Sequence, residues 1–155
     1  MLAHCAIVAS RSVYCRQLIK LAKDKLPQSP ILNHDHFKAP PFILSQDAYI
    51  EIKLADERSD ALKIVLEFLY TDGIISLEGK ENELETIKLV VDVYKLAIQF
   101  MLPKLKKICE NYVDSSVTCS NVLSVLGYVN MFNLNVLKDF CMKFLGILIF
   151  FVYYF

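Results

Sequence analysis

The sequence predicts an α+β fold that is mostly helical and carries a small sheet on one side. Residues 61–73 place apolar side chains at positions 62, 65, 66, 69 and 70, the spacing of one side of a packed helix. A longer helical pattern runs from Leu84 to Met101, with apolar residues three or four positions apart. Residues 49–54 instead alternate apolar and polar side chains, which is typical of a half-buried strand.

The composition indicates a folded chain without an electrostatic preference for nucleic acid. Its 155 residues are 55% apolar and 22% charged, enough for one domain or for one domain and the beginning of a second. Lysine plus arginine and aspartate plus glutamate number 17 each. Direct binding of nucleic acid or of an anionic membrane surface is favoured by a basic excess, which this sequence lacks.

Five cysteines, an odd number, are scattered along the chain at positions 5, 15, 109, 119 and 141. This pattern argues against a secreted disulfide framework and favours reduced intracellular thiols. Each cysteine lies in or near an apolar helical stripe, so we expect all five to be buried structural thiols. The N-terminus has no charged segment followed by a cleavable apolar core, so no signal peptide is predicted.

The first part of the chain reads as two helices followed by an insertion. Ser12 ends a short apolar helix and can cap a second one that runs to about Lys25. Residues 26–48 then contain four prolines within 15 residues, which exclude a continuous helix or central strand. In this insertion His34–Asp35–His36 offers metal-ligand residue types, but a loop without a third anchored ligand does not hold a metal. We predict a solvated loop and no metal site.

The helix in residues 61–73 organises the rest of the fold. Ser59 or Asp60 can cap its start, and Gly73 stands where a left-handed residue is wanted at its end. Its last turn is expected to emerge at the surface as an ordered platform for another protein, and a strand-like run, residues 74–77, follows. Pro103 then fits the first turn of a further helix.

The C-terminal third predicts two more helices, one from Ser120–Asn121 and one after Asn133. From Phe144 the sequence has 12 uncharged residues, fewer than the ~20 that a membrane-spanning helix needs. The β-branched and aromatic bias of residues 146–155 favours a strand and aggregation. Three interpretations stay open for this tail: sequence beyond the end of a real domain, as in a truncated or misassembled gene product; a membrane-associating segment; and additional core packing.

An enzyme is not predicted. The sequence has four glycines, no glycine-rich phosphate loop and no pair of histidines four residues apart. Cys5 and Cys15 near His4 could be drawn as a thiol and its base, but nearness in sequence does not establish their geometry. We expect no catalytic residue, no cofactor and no small-molecule substrate.

Three stretches resemble BTB/POZ domains, which are dimerising and partner-docking modules. The first is the opening from His4 to Tyr14, the second is the FLYTDG run at 68–73, and the third is the helix pair from Asp92 to Tyr112. The resemblance implies a BTB/POZ domain over residues 1–114 with its first strands missing, which would leave an open sheet edge. Residues 115–145 resemble the start of a BACK domain, as in Kelch–BTB–BACK proteins.

The resemblance also implies partners. In this family the platform docks a cullin-3 scaffold, which would use Glu67, Tyr70, Thr71, Asp72, Phe100 and Met101. A homodimer, or a dimer with full-length family members, would use His4, Ile7, Val8, Arg11, Tyr14 and Leu18. The chain would then be part of a substrate adaptor for a ubiquitin ligase that acts on Ras-like small GTPases. Kelch repeats would choose those substrates, and none is present in this sequence.

Two alternatives to the ligase adaptor stay open. The chain could be the dimerisation module of a transcriptional regulator, with DNA binding supplied by a partner, because nothing after residue 113 resembles a zinc finger or a basic region. It could also be a truncated product without function. The resemblance implies a cytoplasmic location. Association with endomembranes, those of the Golgi, is the other location that it implies.

Overall fold

A computed structural model describes residues 3–24, 42–44, 50–52, 57–77 and 83–154. Helices dominate these residues, so the mostly helical part of the predicted fold is confirmed. In chain order the elements are α1 (Cys5–Arg11), α2 (Val13–Asp24), β1 (Phe42–Leu44), β2 (Ile50–Ile52), α3 (Ser59–Thr71), a 3₁₀ turn (Ile75–Leu77), α4 (Leu84–Gln99), α5 (Pro103–Ser116), α6 (Val122–Met131) and α7 (Asn135–Tyr154).

Helix α4 is the centre of the core. It packs against α3, α5 and α6, and α7 completes the layer by packing on α5 and α6. Because neighbours surround α4, its buried residues include a continuous run, Val90 to Tyr94, instead of one stripe. The sequence pattern from Leu84 to Met101 therefore predicted the helix correctly, but it did not predict that α4 is buried on several sides. Ile98 and Met101, which belong to that pattern, are about half exposed.

Helix α3 is helical and packs on α4, as the sequence predicts, but the buried side is different. Ala61, Ile64 and Phe68 are buried with Val65 and Leu69, whereas Tyr70 is 42% exposed. The predicted stripe holds at Val65 and Leu69 but does not include Ala61, Ile64 and Phe68. Almost every residue of the run is apolar, so periodicity alone does not select one face.

The ends of α3 also differ from the prediction. Helix α3 begins after Arg58, and neither Ser59 nor Asp60 caps it through a side chain. Asp72, not Gly73, takes the left-handed conformation at its C-terminus, with φ 64°. Aspartate tolerates this conformation better than most residues. The run after it forms the 3₁₀ turn Ile75–Leu77 instead of a strand.

Ser12 separates α1 from α2 and caps α2, as predicted. Its Oγ accepts a hydrogen bond from the backbone N–H of Cys15 at 3.1 Å. The same hydroxyl donates to the carbonyl oxygen of Phe100 at 2.7 Å and is completely buried. Ser12 thereby joins the α1–α2 break to the far end of α4.

A buried carboxylate links the core to α6. Asp92 on α4 is 6% exposed and accepts a hydrogen bond from the hydroxyl of Tyr128 at 2.8 Å. Arg58, just before α3, places Nη1 3.5 Å from the other carboxylate oxygen. Burial, followed by the Asp92 contact, raises the pKa of Tyr128 to about 12, so its hydroxyl stays a donor. The BACK assignment of 115–145 stays a prediction, but α6 and α7 share the core of the preceding helices.

Two expectations for the C-terminal third and the thiols were wrong. Residues 146–154 continue α7 as helix instead of forming a strand, because they extend a helix already nucleated by the buried Leu137 and Cys141. Cys5 and Cys119 are exposed, while Cys15, Cys109 and Cys141 are buried. Burial raises the pKa of Cys109 to about 12, which keeps that thiol protonated.

Strands β1 and β2 form an antiparallel pair in which Ile43 lies opposite Glu51. The strand in residues 49–54 was predicted, but β1, inside the proline-rich insertion, was not. It directly follows Pro40–Pro41, and such a position suits an edge strand because proline cannot donate to a neighbour. The rest of the insertion, including the predicted loop at His34–His36, lies outside the described residues.

Candidate protein-docking surface

The corner between α4 and α5 is built by a Schellman motif. The N–H of Leu102 donates to the carbonyl of Ala97, and the N–H of Met101 donates to that of Ile98. Met101 takes the left-handed position of the motif, with φ 54°. Leu102 is therefore turned into the core, at 4% exposure, while Met101 projects and is 52% exposed. Pro103 then begins α5, as predicted.

Asp72 connects this corner to the end of α3. Its carboxylate forms an ion pair with Arg11 of α1 at 2.5 Å, and its second oxygen accepts a hydrogen bond from Lys104 of α5. The hydrogen bond from Lys104, together with the charges of Lys104 and Arg11, lowers the pKa of Asp72. Three elements that are distant in sequence thus meet at one half-exposed carboxylate.

A groove of about 400 Å³ lies beside this carboxylate. Apolar Phe68, Leu102 and Pro103 form part of its wall, and the Asp72, Arg11 and Lys104 side chains form its charged part, with Ser10. We call the surface formed by Tyr70, Asp72, Met101 and Lys104 the docking corner. It combines apolar projections with a charged cluster, the arrangement found in small protein interfaces.

Tyr70 is held in place by the N-terminal segment. Its hydroxyl accepts a hydrogen bond from the backbone N–H of His4 at 2.7 Å and lies 2.8 Å from Nδ1 of the same residue. These contacts order the ring, which stays 42% exposed. An ordered, exposed aromatic side chain loses little conformational entropy when a partner covers it.

Glu67, Thr71 and Phe100, predicted for partner binding, make contacts within the chain. Glu67 accepts hydrogen bonds from the N–H and hydroxyl of Ser76, which fixes the 3₁₀ turn beside α3. The hydroxyl of Thr71 donates to the carbonyl of Glu67 at 2.8 Å. Phe100 is 7% exposed and packs edge-on against Tyr14, with ring centroids 5.4 Å apart. These three side chains therefore stabilise the segments that carry the docking corner, through contacts within the chain.

The residues predicted for a dimer contact do not form a separate surface. His4 and Arg11 contact Tyr70 and Asp72, so the two predicted sets meet at one place. Val8 is buried, and Ile7, Tyr14 and Leu18 are partly buried. The exposed large apolar residues of α2 are Val13 and Leu21, and neither belongs to the predicted dimer set. Both interfaces stay predictions.

Lys104, and the contact of Arg11 with Asp72, were not predicted from the sequence. Their partner Asp72 lies 32 residues from Lys104 and 61 residues from Arg11, so no local pattern reports the contact. Among the residues that the structure describes, no group of three or more histidine, cysteine, aspartate or glutamate side chains is arranged to hold a metal. His34–His36 lies outside those residues.

The ion pairs of Asp72 predict a pH dependence. Because the folded-state pKa of this carboxyl is lowered, its stabilising contribution is present above the ordinary aspartate pKa and is lost as the pH falls through the folded-state value. We expect the melting temperature of the wild type to exceed that of Asp72→Asn at neutral pH and low salt. Below the folded-state pKa this difference should vanish.

Asparagine is a suitable replacement because it also tolerates the left-handed conformation. Thermal unfolding of both proteins, followed by circular dichroism from neutral to acid pH, measures the difference. High salt at neutral pH should reduce it as well, since exposed charges are screened. Parallel pH profiles for the two proteins would show that the ion pairs contribute nothing to stability.

Known proteins with similar sequences identify the family of this chain. The BTB/POZ domain family matches residues 1–117. Human leucine-zipper-like transcriptional regulator 1 is 31% identical over 147 residues, covering 91% of this chain and 17% of that protein. Its Drosophila melanogaster homolog is 31% identical over 151 residues, covering 94% of this chain and 15% of the homolog.

A further similarity is to the inhibitor of Bruton tyrosine kinase of Xenopus laevis, 29% identical over 89 residues. That match covers 57% of this chain and 6% of that protein. The chain thus spans less than a fifth of the length of these relatives. The match over residues 1–117, on a helical fold with an exposed turn after α3, confirms the resemblance found in the sequence: the chain belongs to the BTB/POZ domain family, whose members are protein-interaction modules that mediate dimerisation and partner binding.

Proposed function

We propose that this chain is the scaffold-docking part of a substrate adaptor for a cullin-3 ubiquitin ligase. The docking corner is the surface that contacts the scaffold. The contact of Asp72 with both Arg11 and Lys104 carries the proposal. It joins the C-terminal end of α3 to the first turn of α5, so that the two form one exposed unit. Tyr70 and Met101 then project from a rigid base, as anchor residues of an interface do.

A pull-down of cullin-3 tests Tyr70. We expect Tyr70→Ala to weaken the binding of cullin-3 by about thirtyfold, since removal of a central aromatic anchor costs a protein interface roughly 2 kcal/mol. Tyr70→Phe keeps the ring and removes the hydroxyl contacts with His4, so it should retain most of the binding. Leu123→Ala on α6, an equally conservative truncation of a side chain that is 71% exposed, is the matched surface control.

Met101 offers a second variant in the same experiment, free of folding defects. Met101→Gly relieves a left-handed non-glycine residue, so stability should be kept or increased while the projecting side chain is lost. A several-fold loss of cullin-3 with an unchanged melting temperature is expected. Equal recovery with wild type, Tyr70→Ala and Met101→Gly would remove the docking corner from the interface.

The name of the human and fly relatives favours a second candidate, a dimerisation module of a transcriptional regulator. In that case the partner would be another regulator, since the equal numbers of acidic and basic residues give no support to direct DNA binding. Wild-type chain that captures itself and no cullin-3 would favour this candidate.

The full ligase cycle needs functions beyond the docking corner. Ras-like small GTPases, implied by the resemblance, would be its substrates and would be bound elsewhere in a longer adaptor. We propose that the complex is located in the cytoplasm, either free or associated with Golgi membranes.

A further inference from the structure

The C-terminal half of α7 extends beyond the core as an apolar helix. After Lys143 the described part of this helix carries no charged residue. Its exposed apolar side chains lie on several sides of the helix. They are Ile147, Ile149, Phe150, Phe151, Val152, Tyr153 and Tyr154, at 56–82% exposure.

The exposed area is larger than a monomer normally leaves uncovered. At their exposed fractions the four aromatic side chains alone present on the order of 500 Å². With the three aliphatic side chains the segment offers about 800 Å² over all its sides, of which the seam described below presents only part. The largest apolar patch of a typical monomer is roughly 300–600 Å².

One side of this segment has the form of a helix-packing seam. Gly146, Ile149, Phe150, Tyr153 and Tyr154 follow the i, i+3, i+4, i+7, i+8 spacing and line a hollow of about 530 Å³. Gly146 leaves open space in the seam, because an added Cβ there would meet no atom within 4 Å. Phe150 and Tyr154 stack with centroids 4.5 Å apart and form a ridge beside it.

The seam is complementary to itself. Gly146 and Tyr153 lie about one helical turn on either side of the midpoint between Ile149 and Phe150. In an antiparallel pair with a twofold axis at that midpoint, the ring of Tyr153 from each copy faces the hollow at Gly146 of the other. No charge lies on the seam, so two copies do not repel each other there.

A lipid surface fits this helix less well. A helix that lies in a membrane interface needs a charged or polar face, often rich in lysine and arginine, opposite its apolar face. The segment after Lys143 has none in its described part. In the described part of the chain, no helix has the length and hydropathy needed to cross a bilayer.

We propose that the seam from Gly146 to Tyr154 pairs with the same seam of a second copy of this chain. The two helices run antiparallel, and the contact is weak and reversible, because one side of the segment buries less than about 1,200 Å² in total. This contact uses no residue of the docking corner, so it is independent of the proposed cullin-3 function.

Sedimentation velocity of the full chain over a wide concentration range tests this pairing. We expect wild type to dimerise and Phe150→Ser to raise the dissociation constant by at least about tenfold. Phe151→Ser is the matched control: it removes the same side chain, at the same 56% exposure, from a position that points away from the seam, and should leave the constant unchanged.

Gly146→Leu distinguishes specific pairing from nonspecific hydrophobic association. The Cβ of the new side chain meets no atom within 4 Å in its own copy, so we expect the fold to be kept while the leucine occupies the space that the Tyr153 ring of the second copy would enter. We expect this variant to dimerise about tenfold more weakly although it is more apolar. An association driven by apolarity alone, including binding to phosphatidylcholine vesicles, would instead become stronger.

Several outcomes would overturn the proposal. A wild type that stays monomeric, or one that dimerises as well with Phe150→Ser and Gly146→Leu, removes the seam from any self-contact. Equal losses from Phe150→Ser and Phe151→Ser, or stronger association of Gly146→Leu, would assign the segment to nonspecific or lipid contact. Far-UV circular dichroism of each variant checks that α7 is retained.

Discussion

Leu96→Ala is expected to lower the free energy of unfolding by about 3 kcal/mol, since truncation of a fully buried leucine typically costs 2–5 kcal/mol. Leu96 lies on α4 with no exposed surface, and α4 contacts α3, α5 and α6. The loss combines the transfer free energy of the removed atoms with a cavity that four helices cannot easily close. For a domain of ordinary stability this is a large fraction of the total.

Urea unfolding followed by circular dichroism measures this change. Leu123→Ala is the matched control, because the same truncation on α6 affects a side chain that is 71% exposed. It should shift the free energy by less than about 0.5 kcal/mol. If both variants lost similar stability, α4 would not be the centre of the core.

Ser12→Ala is expected to cost about 2 kcal/mol, from two contacts of one buried hydroxyl. The change removes the N-cap of α2 at the N–H of Cys15, which typically contributes about 1 kcal/mol. It also leaves the carbonyl of Phe100 buried without its donor, a penalty of roughly 1–3 kcal/mol before relaxation. Because Phe100 precedes Met101, the variant should also weaken cullin-3 recovery.

Ser10→Ala supplies the comparison for this experiment. Ser10 is exposed, and its hydroxyl donates to the carbonyl of Ile7 within α1. Its loss should change stability by less than about 0.5 kcal/mol, measured by the same urea titration. Equal effects at the two serines would mean that the bond from Ser12 to Phe100 does not hold the α4–α5 corner.

Local patterns predicted the elements whose signals are local. The start of α5 at Pro103 and the break at Ser12 each follow from one residue with a fixed stereochemical preference, and both are confirmed. The face of α3 was not predictable in this way. Its run of apolar residues satisfies several stripes equally, and only contact with α4 selects Ala61, Ile64 and Phe68.

In the candidate site, too, the local feature was predicted and the long-range contacts were not. The exposed turn after α3 was predicted from the Tyr-Thr-Asp-Gly text, and Tyr70 is indeed exposed. Its bond to His4 and the meeting of Asp72 with Arg11 and Lys104 connect residues 32 to 66 positions apart. A single sequence carries no periodic signal for such contacts, since they depend on how whole helices are placed.

The sequence by itself determined the helical class of this chain, the positions of most helices and its membership of the BTB/POZ family. The helical class and the helix positions depend on backbone propensity and on the spacing of apolar side chains, which act within a few residues, whereas the family follows from the resemblance of three stretches to BTB/POZ domains. Tertiary structure decided which apolar side chains are buried, that Asp72 takes the left-handed position expected of Gly73, and that the tail continues as helix. The reason is physical: burial and ion pairing depend on neighbours brought together from distant parts of the chain, and their free energies outweigh weak local preferences.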